Sequence, residues 1–502
     1  MPPSNMKCAA LVLALALPAC SPADEPHIDK DTASRPNLLL ISVDSLRADH
    51  TTPYGYSPKY QPTAQTTPAL QKLADEGILF EQASSTTSWT LPAHMALMTG
   101  LPGALHQVTD NRRRLDPAIT TLAEALQAQG FRTAGFFSGP NLHPAFGFGA
   151  GFETYQNCSG KELPEGAFEA ALTGGDNKDL VNLHKDSHSG LSSKALLDES
   201  STWLEDAAAK DEPFFLFVHW WDPHYDYTPP KALAKSFDPT YQGKQTGVDF
   251  LSLARSPEPR DLEHILALYD AEIRYTDNHI GKLLAKLDAL DLADDTLVVF
   301  TADHGDEFFE RGFRGHQRTL YEEAVQVPMV MRLPGVLPAG KRVAGNAGLQ
   351  DVFSTVADLL DLPLPNYEIG PSLRPLWENG DDGRQHFMEL NLAHRNIHIT
   401  SVRDGDTKVI WDHEQDRLEV FDLASDPLEQ NPRVAPGMAG PMEDGGELTA
   451  ERALIATHLA RLEQRRRALP ATEGFRADHE LSAELLEELA RMGYLDSEGA
   501  DR

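Results

Sequence analysis

Cysteine is nearly absent from this chain: 502 residues include 3, Cys8, Cys20 and Cys158. So few thiols exclude a disulfide-stapled scaffold, and the fold must be held by its core and by any bound metal. Positive charge is also short, with 44 Lys and Arg against 76 Asp and Glu, a formal net charge of −32. That balance excludes nucleic acid as a partner, because neutralising phosphates takes clustered Lys and Arg. It does not fix the fold, and a local basic site can exist on an acidic protein. Apolar runs long enough to cross a membrane are missing, since Ala9 to Leu17 is too short. What remains is ordinary globular material, 41% hydrophobic and 24% charged, long enough for a large core.

The first residues read as a targeting segment. Lys7 precedes the apolar stretch, and Leu17-Pro18-Ala19-Cys20 then places a cysteine after a small residue. This resembles a bacterial lipoprotein signal. Residues 1–19 are therefore expected to be removed, Cys20 to be lipidated, and residues 20–34 to form a flexible tether. The protein is expected to be exported to the periplasm or cell surface, held at the outer membrane only through that anchor. Pro18 is an unusual residue there, and leaves plain secretion with nearby cleavage as the alternative.

Several apolar runs end in a polar residue. Pro36 to Val43 stops at Asp44, Pro213 to Val218 at His219, and Thr296 to Ala302 at Asp303; Val327 to Leu333 is a fourth run. Continuous runs fit strands buried on both faces, as in a parallel sheet covered by helices. Helical patterns lie between them, at Thr67 to Glu76, Thr120 to Gln129 and about Asp261 to Leu290. The alternation predicts an α/β fold: a mixed, mostly parallel sheet sandwiched by helices. Ligands of such sheets bind beyond the carboxyl ends of the strands, where Asp44, His219 and Asp303 fall. We expect a catalytic domain over 35–375, a smaller C-terminal α+β sheet subdomain over 376–435, and a linker with helical tail over 436–502. Asn157 to Asn182 and Lys235 to Pro259 read as insertions or loops.

Ser88-Trp89-Thr90-Leu91-Pro92-Ala93-His94 delivers a hydroxyl to the start of a helix that Gly100 should stop. A hydroxyl there either caps the helix or, facing free N–H groups and the positive end of the dipole, serves as a nucleophile toward an anionic substrate. Asp44, Thr90, Asp303 and His304 together form a plausible ligand set for a divalent ion such as Zn²⁺, Mn²⁺ or Ca²⁺. Separately, Asp44 can be a strand-end cap and Asp303-His304-Gly305 a tight turn.

Taken in order, these motifs resemble the alkaline phosphatase superfamily, and most closely its sulfatase-like branch. Asp270-Ala271-Glu272-Ile273-Arg274-Tyr275-Thr276-Asp277, Leu320 to Pro328 and Phe421-Asp422-Leu423 carry the resemblance further. It implies metal-assisted nucleophilic hydrolysis or transfer of sulfate or phosphate esters, with one divalent metal and possibly a second. Small molecules, lipids and glycans are the implied ester-bearing substrates.

The departures limit that likeness. Sulfatases of this type carry Cys or Ser, oxidised to formylglycine, in a Cys/Ser-x-Pro-x-Arg motif. Thr90 cannot yield that aldehyde, so no formylglycine is expected, and His94 stands where the Arg would be. Thr nucleophiles are familiar in the superfamily's phosphodiesterases and head-group transferases. Ser45 replaces a second Asp, removing one metal ligand. His94 is expected to stabilise charge. His224 resembles the family histidine that contacts the ester or protonates the leaving group, although a histidine beside two tryptophans can equally be core. His316 can bind the transferred group or help Asp222 and His224 hold a second metal; otherwise it is part of a solvated loop. Arg47 and Arg318 are candidate substrate contacts, with a structural salt bridge the alternative for Arg47.

Three readings compete: an ester hydrolase, a transferase of phosphorus-containing head groups, and an inactive binding protein on the same fold.

Overall fold

The computed structural model describes residues 35–159, 190–438 and 448–470, apart from residues 112, 211, 249, 255, 381 and 382. The signal, Cys20, the tether, the segment 160–182 and the terminal helix expected at Leu481 to Met492 lie outside the described residues. Among the described residues no helix is long and apolar enough to cross a membrane.

The strands follow the chain as β1 (Asn37–Val43), β2 (Ile78–Ser84), β3 (Arg132–Phe137), β4 (Thr154–Asn157), β5 (Phe214–Trp220), β6 (Thr296–Ala302), β7 (Glu307–Phe308), β8 (Arg314–Gly315), β9 (Met329–Arg332) and β10 (Lys341–Gly348). β11 (Gln385–Leu392), β12 (Ile397–Asp404), β13 (Thr407–Asp412), β14 (Arg417–Asp422) and β15 (Arg433–Pro436) come later. Eight of them form the central sheet in the order β10-β2-β9-β6-β1-β5-β3-β4. Every residue of β1, β5 and β6 is buried, which is why these stretches read as unbroken apolar runs. β1 pairs in parallel with both β5 and β6. β9 runs antiparallel to β2 and β6, and so makes the sheet mixed.

Local signals set the helix ends. Helix α1 (Pro68–Glu76) starts with Pro68 and gives way to Gly77. Helix α2 (Thr90–Thr99) stops at Gly100, whose φ of 68° is the left-handed cap that glycine adopts without strain. The helix Leu122–Gln127 begins with a capping box between Thr121 and Glu124. The long helix Pro259–Ala289 packs along α1 and the helix Ser193–Ala208.

Strands β11 to β15 form an antiparallel sheet in sequence order. Met388, Leu390 and Leu392 of β11 join the same buried cluster as β1, β5 and β6. This sheet also touches the segment leading to α2: Glu389 donates its backbone N–H to the Thr86 carbonyl at 2.9 Å, and His386 Nε2 lies 3.1 Å from the Ser85 carbonyl. Buried cations complete the junction. Lys408 Nζ meets Glu322 at 2.8 Å and Glu429 at 2.9 Å, and Arg403 meets Glu322 at 2.9 Å.

Candidate active site

The register of the central sheet assembles the site. Val43 pairs with Ala302, so the next residues, Asp44 and Asp303, emerge side by side. Ser42 pairs with His219 on the other flank of β1, and α2 brings Thr90 over the same strand ends.

The two carboxylates divide their oxygens alike. Asp44 Oδ1 accepts the Ser45 hydroxyl at 2.8 Å, leaving Oδ2 3.4 Å from Thr90 Oγ1. Asp303 Oδ1 accepts the N–H groups of Ser45 (3.0 Å) and His304 (2.8 Å), while its buried Oδ2 has no hydrogen-bond partner. His304 Nδ1–H donates to the Gly305 carbonyl at 2.9 Å, which directs Nε2 toward Thr90 Oγ1 at 3.2 Å. Gly305 is required here, since a Cβ would fall 2.2 Å from the Glu323 carbonyl oxygen. Donor atoms from Asp44, Asp303 and His304 lie within 4.8 Å of one another. Two carboxylate oxygens, an imidazole nitrogen and a hydroxyl fit a divalent cation, and the unsatisfied Asp303 Oδ2 is what a cation would satisfy. Thr90's hydroxyl faces Asp44 and His304, and the cap position before α2 carries no side-chain cap bond.

Electrostatics mark the same place. Burial pushes Asp44 up to about 7 despite the opposing pull of His304. Burial and the neighbouring Asp44 charge raise Asp303. Asp306 and Glu307 are driven by burial to about 7 and about 8. His304 moves up because Asp303 and Asp44 outweigh its own desolvation. Such a concentration of buried acid is unfavourable without a compensating positive charge.

Three expectations need correction. His94 does not stabilise charge at the substrate. Burial, then His219, pushes it down to about 3, and both nitrogens are engaged, Nδ1 with the Thr90 carbonyl at 2.9 Å and Nε2 with Ser42 at 2.8 Å. It is a neutral tie between β1 and the first turn of α2. Arg47 is no substrate clamp: its guanidinium grips Asp49 at 2.9 and 2.7 Å, Glu310 at 2.5 Å and the Asp306 carbonyl at 3.1 Å. Asp222 holds no second metal, because its carboxylate accepts the Ser192 and Ser193 N–H groups at the start of helix Ser193–Ala208. Asp306, by contrast, joins His304 and His316 in a second group whose donor atoms lie within 4.8 Å of one another, with Oδ1 2.8 Å from His316 Nδ1 and Oδ2 accepting Tyr227 at 2.7 Å.

His224 and His316 do approach each other, with ring centroids 5.1 Å apart, and His316 lies 4.3 Å from His304. His224 stacks on Trp221 at 3.9 Å and engages the Tyr225 carbonyl through Nδ1 at 2.7 Å. Arg318 is half-buried just past His316. Sequence reasoning placed His219, whose Nε2 is 3.5 Å from Asp44 Oδ2, at the ligand-binding end of its strand without a role, and missed that Ser45 orients both carboxylates. It also missed Tyr227. His219 alone had a signal, its place at the end of an apolar run; the contacts of Ser45 and Tyr227 are tertiary.

The sulfatase family model matches residues 36–362, and the model of the N-sulphoglucosamine sulphohydrolase C-terminal region matches 310–437. An ulvan-active sulfatase of Formosa agariphila is 25% identical over 84% of this chain and 81% of its own length. A multifunctional alkaline phosphatase superfamily protein of Trinickia caryophylli is 26% identical over 69% of this chain and 78% of its own. Among solved structures, the phosphonate monoester hydrolase of Agrobacterium radiobacter superposes with a TM-score of 0.63 at 23% identity, covering 86% of this chain and 96% of that one.

Proposed function

This chain belongs to the sulfatase family, and on that premise we propose that it is a metal-dependent hydrolase in which Thr90 attacks the sulfur or phosphorus of a singly charged ester. The observation that carries the proposal is the placement of Thr90 Oγ1 against Asp44 and His304, at 3.4 and 3.2 Å, at the N-terminus of α2. Asp44, Asp303 and His304 would hold a divalent cation, whose positive charge would favour the ionised Thr90 hydroxyl and polarise an ester oxygen. His94 holds the backbone of the nucleophile, and the first N–H groups of α2 face the anionic group. Proton transfer to the leaving oxygen falls to His224, fixed by Trp221 and the Tyr225 carbonyl.

Local charge favours a monoanion. Arg47 is consumed by carboxylates and His94 is neutral, so neither of them adds a positive charge to that of the cation and the helix terminus. Sulfate monoesters, phosphodiesters and phosphonate monoesters carry one charge on the transferred group; phosphate monoesters carry close to two. Relatives named for ulvan sulfate and for phosphonate monoesters span this range. Export through the signal of residues 1–19, anchoring at Cys20 and independence from formylglycine are parts of the same proposal.

The test is a parallel assay of p-nitrophenyl sulfate, bis-p-nitrophenyl phosphate, p-nitrophenyl phenylphosphonate and p-nitrophenyl phosphate with wild type and Thr90→Ala. A monoanionic ester should be preferred, and Thr90→Ala should lose activity on the order of 10³-fold or more. Full activity in Thr90→Ala, or preference for the phosphate monoester, would defeat the reading.

A further inference from the structure

Buried polar side chains normally find a hydrogen-bond partner. On one flank of the site three neighbouring ones do not. Ser138 Oγ, Asn141 Nδ2 and both ring nitrogens of His219 have no hydrogen-bond partner among the described residues. Exposure is 0% for Ser138 and His219 and 2% for Asn141, so bulk solvent does not satisfy them. Leaving such groups buried and unpaired is unfavourable, and a ligand that meets them removes the cost.

Their placement follows from the sheet. β3 and β5 run parallel with Phe137 opposite His219, and the Ser138 N–H donates to the His219 carbonyl at 3.3 Å. Ser138 and Asn141 therefore belong to the loop that leaves the carboxyl end of β3, next to the end of β5. His219 Nε2 is 3.5 Å from Asp44 Oδ2, the oxygen that also faces Thr90. The same loop rests on Trp221, since a Cβ on Gly139 would fall 2.1 Å from that ring. Trp221 in turn stacks on His224 at 3.9 Å. His219 and the loop thus occupy the flank that runs from Asp44 to His224.

Chemistry narrows what this flank can take. A hydroxyl, a primary amide and an imidazole bring O–H and N–H donors without a carboxylate among them. Their complement is an oxygen acceptor. A tetrahedral ester group over Thr90 has three substituents besides the leaving oxygen. The cation and the first N–H groups of α2 serve two of them. We propose that Ser138, Asn141 and His219 receive the third, and that they select esters with an oxygen at that position over esters with carbon there. This rests on the ester binding at Thr90 as described above. A sulfate monoester offers the oxygen. An alkylphosphonate monoester has a carbon in place of one oxygen, so a donor is left unpaired, and sites built of hydrogen-bonding groups discriminate strongly against such a loss.

The experiment compares wild type, Ser138→Ala, Asn141→Ala and His219→Gln on p-nitrophenyl sulfate and p-nitrophenyl methylphosphonate, both monoanionic and with one leaving group. Metal content is measured for each protein. In Ser138→Ala and Asn141→Ala, kcat/KM for the sulfate should fall on the order of tenfold, and its ratio to that for the methylphosphonate about fivefold or more. Equal losses on both esters, or no loss, would overturn the assignment. These two variants decide the matter where His219→Gln loses metal or does not fold. Calorimetry of inorganic sulfate with metal-loaded Thr90→Ala protein gives a reading that needs no turnover. Adding Asn141→Ala should weaken binding on the order of tenfold, and undetectable binding or an unchanged affinity would again overturn the assignment. Full ester hydrolysis by Thr90→Ala would remove the nucleophile, while the calorimetry would still decide the flank.

Discussion

Removing the cation should destabilise the fold in a pH-dependent way that Asp44 lets us calculate. Its carboxyl is fully buried and is pushed from 3.8 to about 7, chiefly by burial. Below the lower value it is protonated in the folded and unfolded chain alike and contributes no difference. As the pH rises toward 7 the unfolded chain releases this proton while the folded chain resists. The metal-free protein therefore loses stability through that window, and the loss is complete above it. At about 1.36 kcal/mol per pH unit the full loss is about 4 kcal/mol. With a melting entropy of about 2.1 cal/mol/K per residue over roughly 400 residues, this corresponds to roughly 5 °C in Tm. A cation seated against Asp44 favours the ionised form and removes the penalty. Asp306 and Glu307, also raised, titrate in both samples and largely cancel in the difference. The assay is scanning fluorimetry of chelated protein, verified metal-free, against protein reloaded with Ca²⁺, Zn²⁺ or Mn²⁺. The Tm gap should be small near pH 4 and widen to roughly 5 °C by about pH 8. A gap that is absent throughout, or equally large at both ends, would refute the assignment of Asp44 as a ligand.

Two substitutions away from the nucleophile check the electrostatic reading. Arg47→Lys should lower Tm by breaking the two-pronged contact with Asp49 while leaving KM for the ester within about twofold. A large rise in KM at unchanged stability would restore the substrate-clamp role. Lys408→Met leaves Glu322 and Glu429 buried beside one another without their shared cation. It should cost about 3–5 kcal/mol in urea unfolding, and an unchanged midpoint would contradict this.

Much of the site was legible because buried parallel strands and their carboxyl-end loops leave a linear trace. Asp44 and Asp303 each terminate an apolar run, and Thr90 precedes a proline and a glycine at helix-ending spacing. What was not legible depends on contacts between distant segments. His94 looked like a stand-in for a cationic arginine, yet its i,i+4 spacing places Nδ1 on the Thr90 carbonyl, and burial, with His219 beside it, keeps it neutral. Arg47 could be read as a substrate contact or a structural salt bridge, and Glu310, from the loop after β7, decides for the bridge. Asp222 sits beside His224 in sequence, but its carboxylate turns away to a helix start. The direction of β9 likewise has no signature in Val327 to Leu333, since strand polarity is decided by the chain's path and not by side-chain pattern.

The anchoring of β11 against Ser85 and Thr86 has a consequence for how this chain can be cut or recombined. A gene shortened to end near residue 375 would strip Leu390 and Leu392 from the shared core. It would also leave Glu322 without Arg403 and Lys408, beside the very loop that carries His316. Such a product would be a sticky fragment and not a minimal hydrolase. Nucleophile segment and terminal sheet must therefore be inherited together, and exchange of parts between relatives should succeed only when both come from one parent.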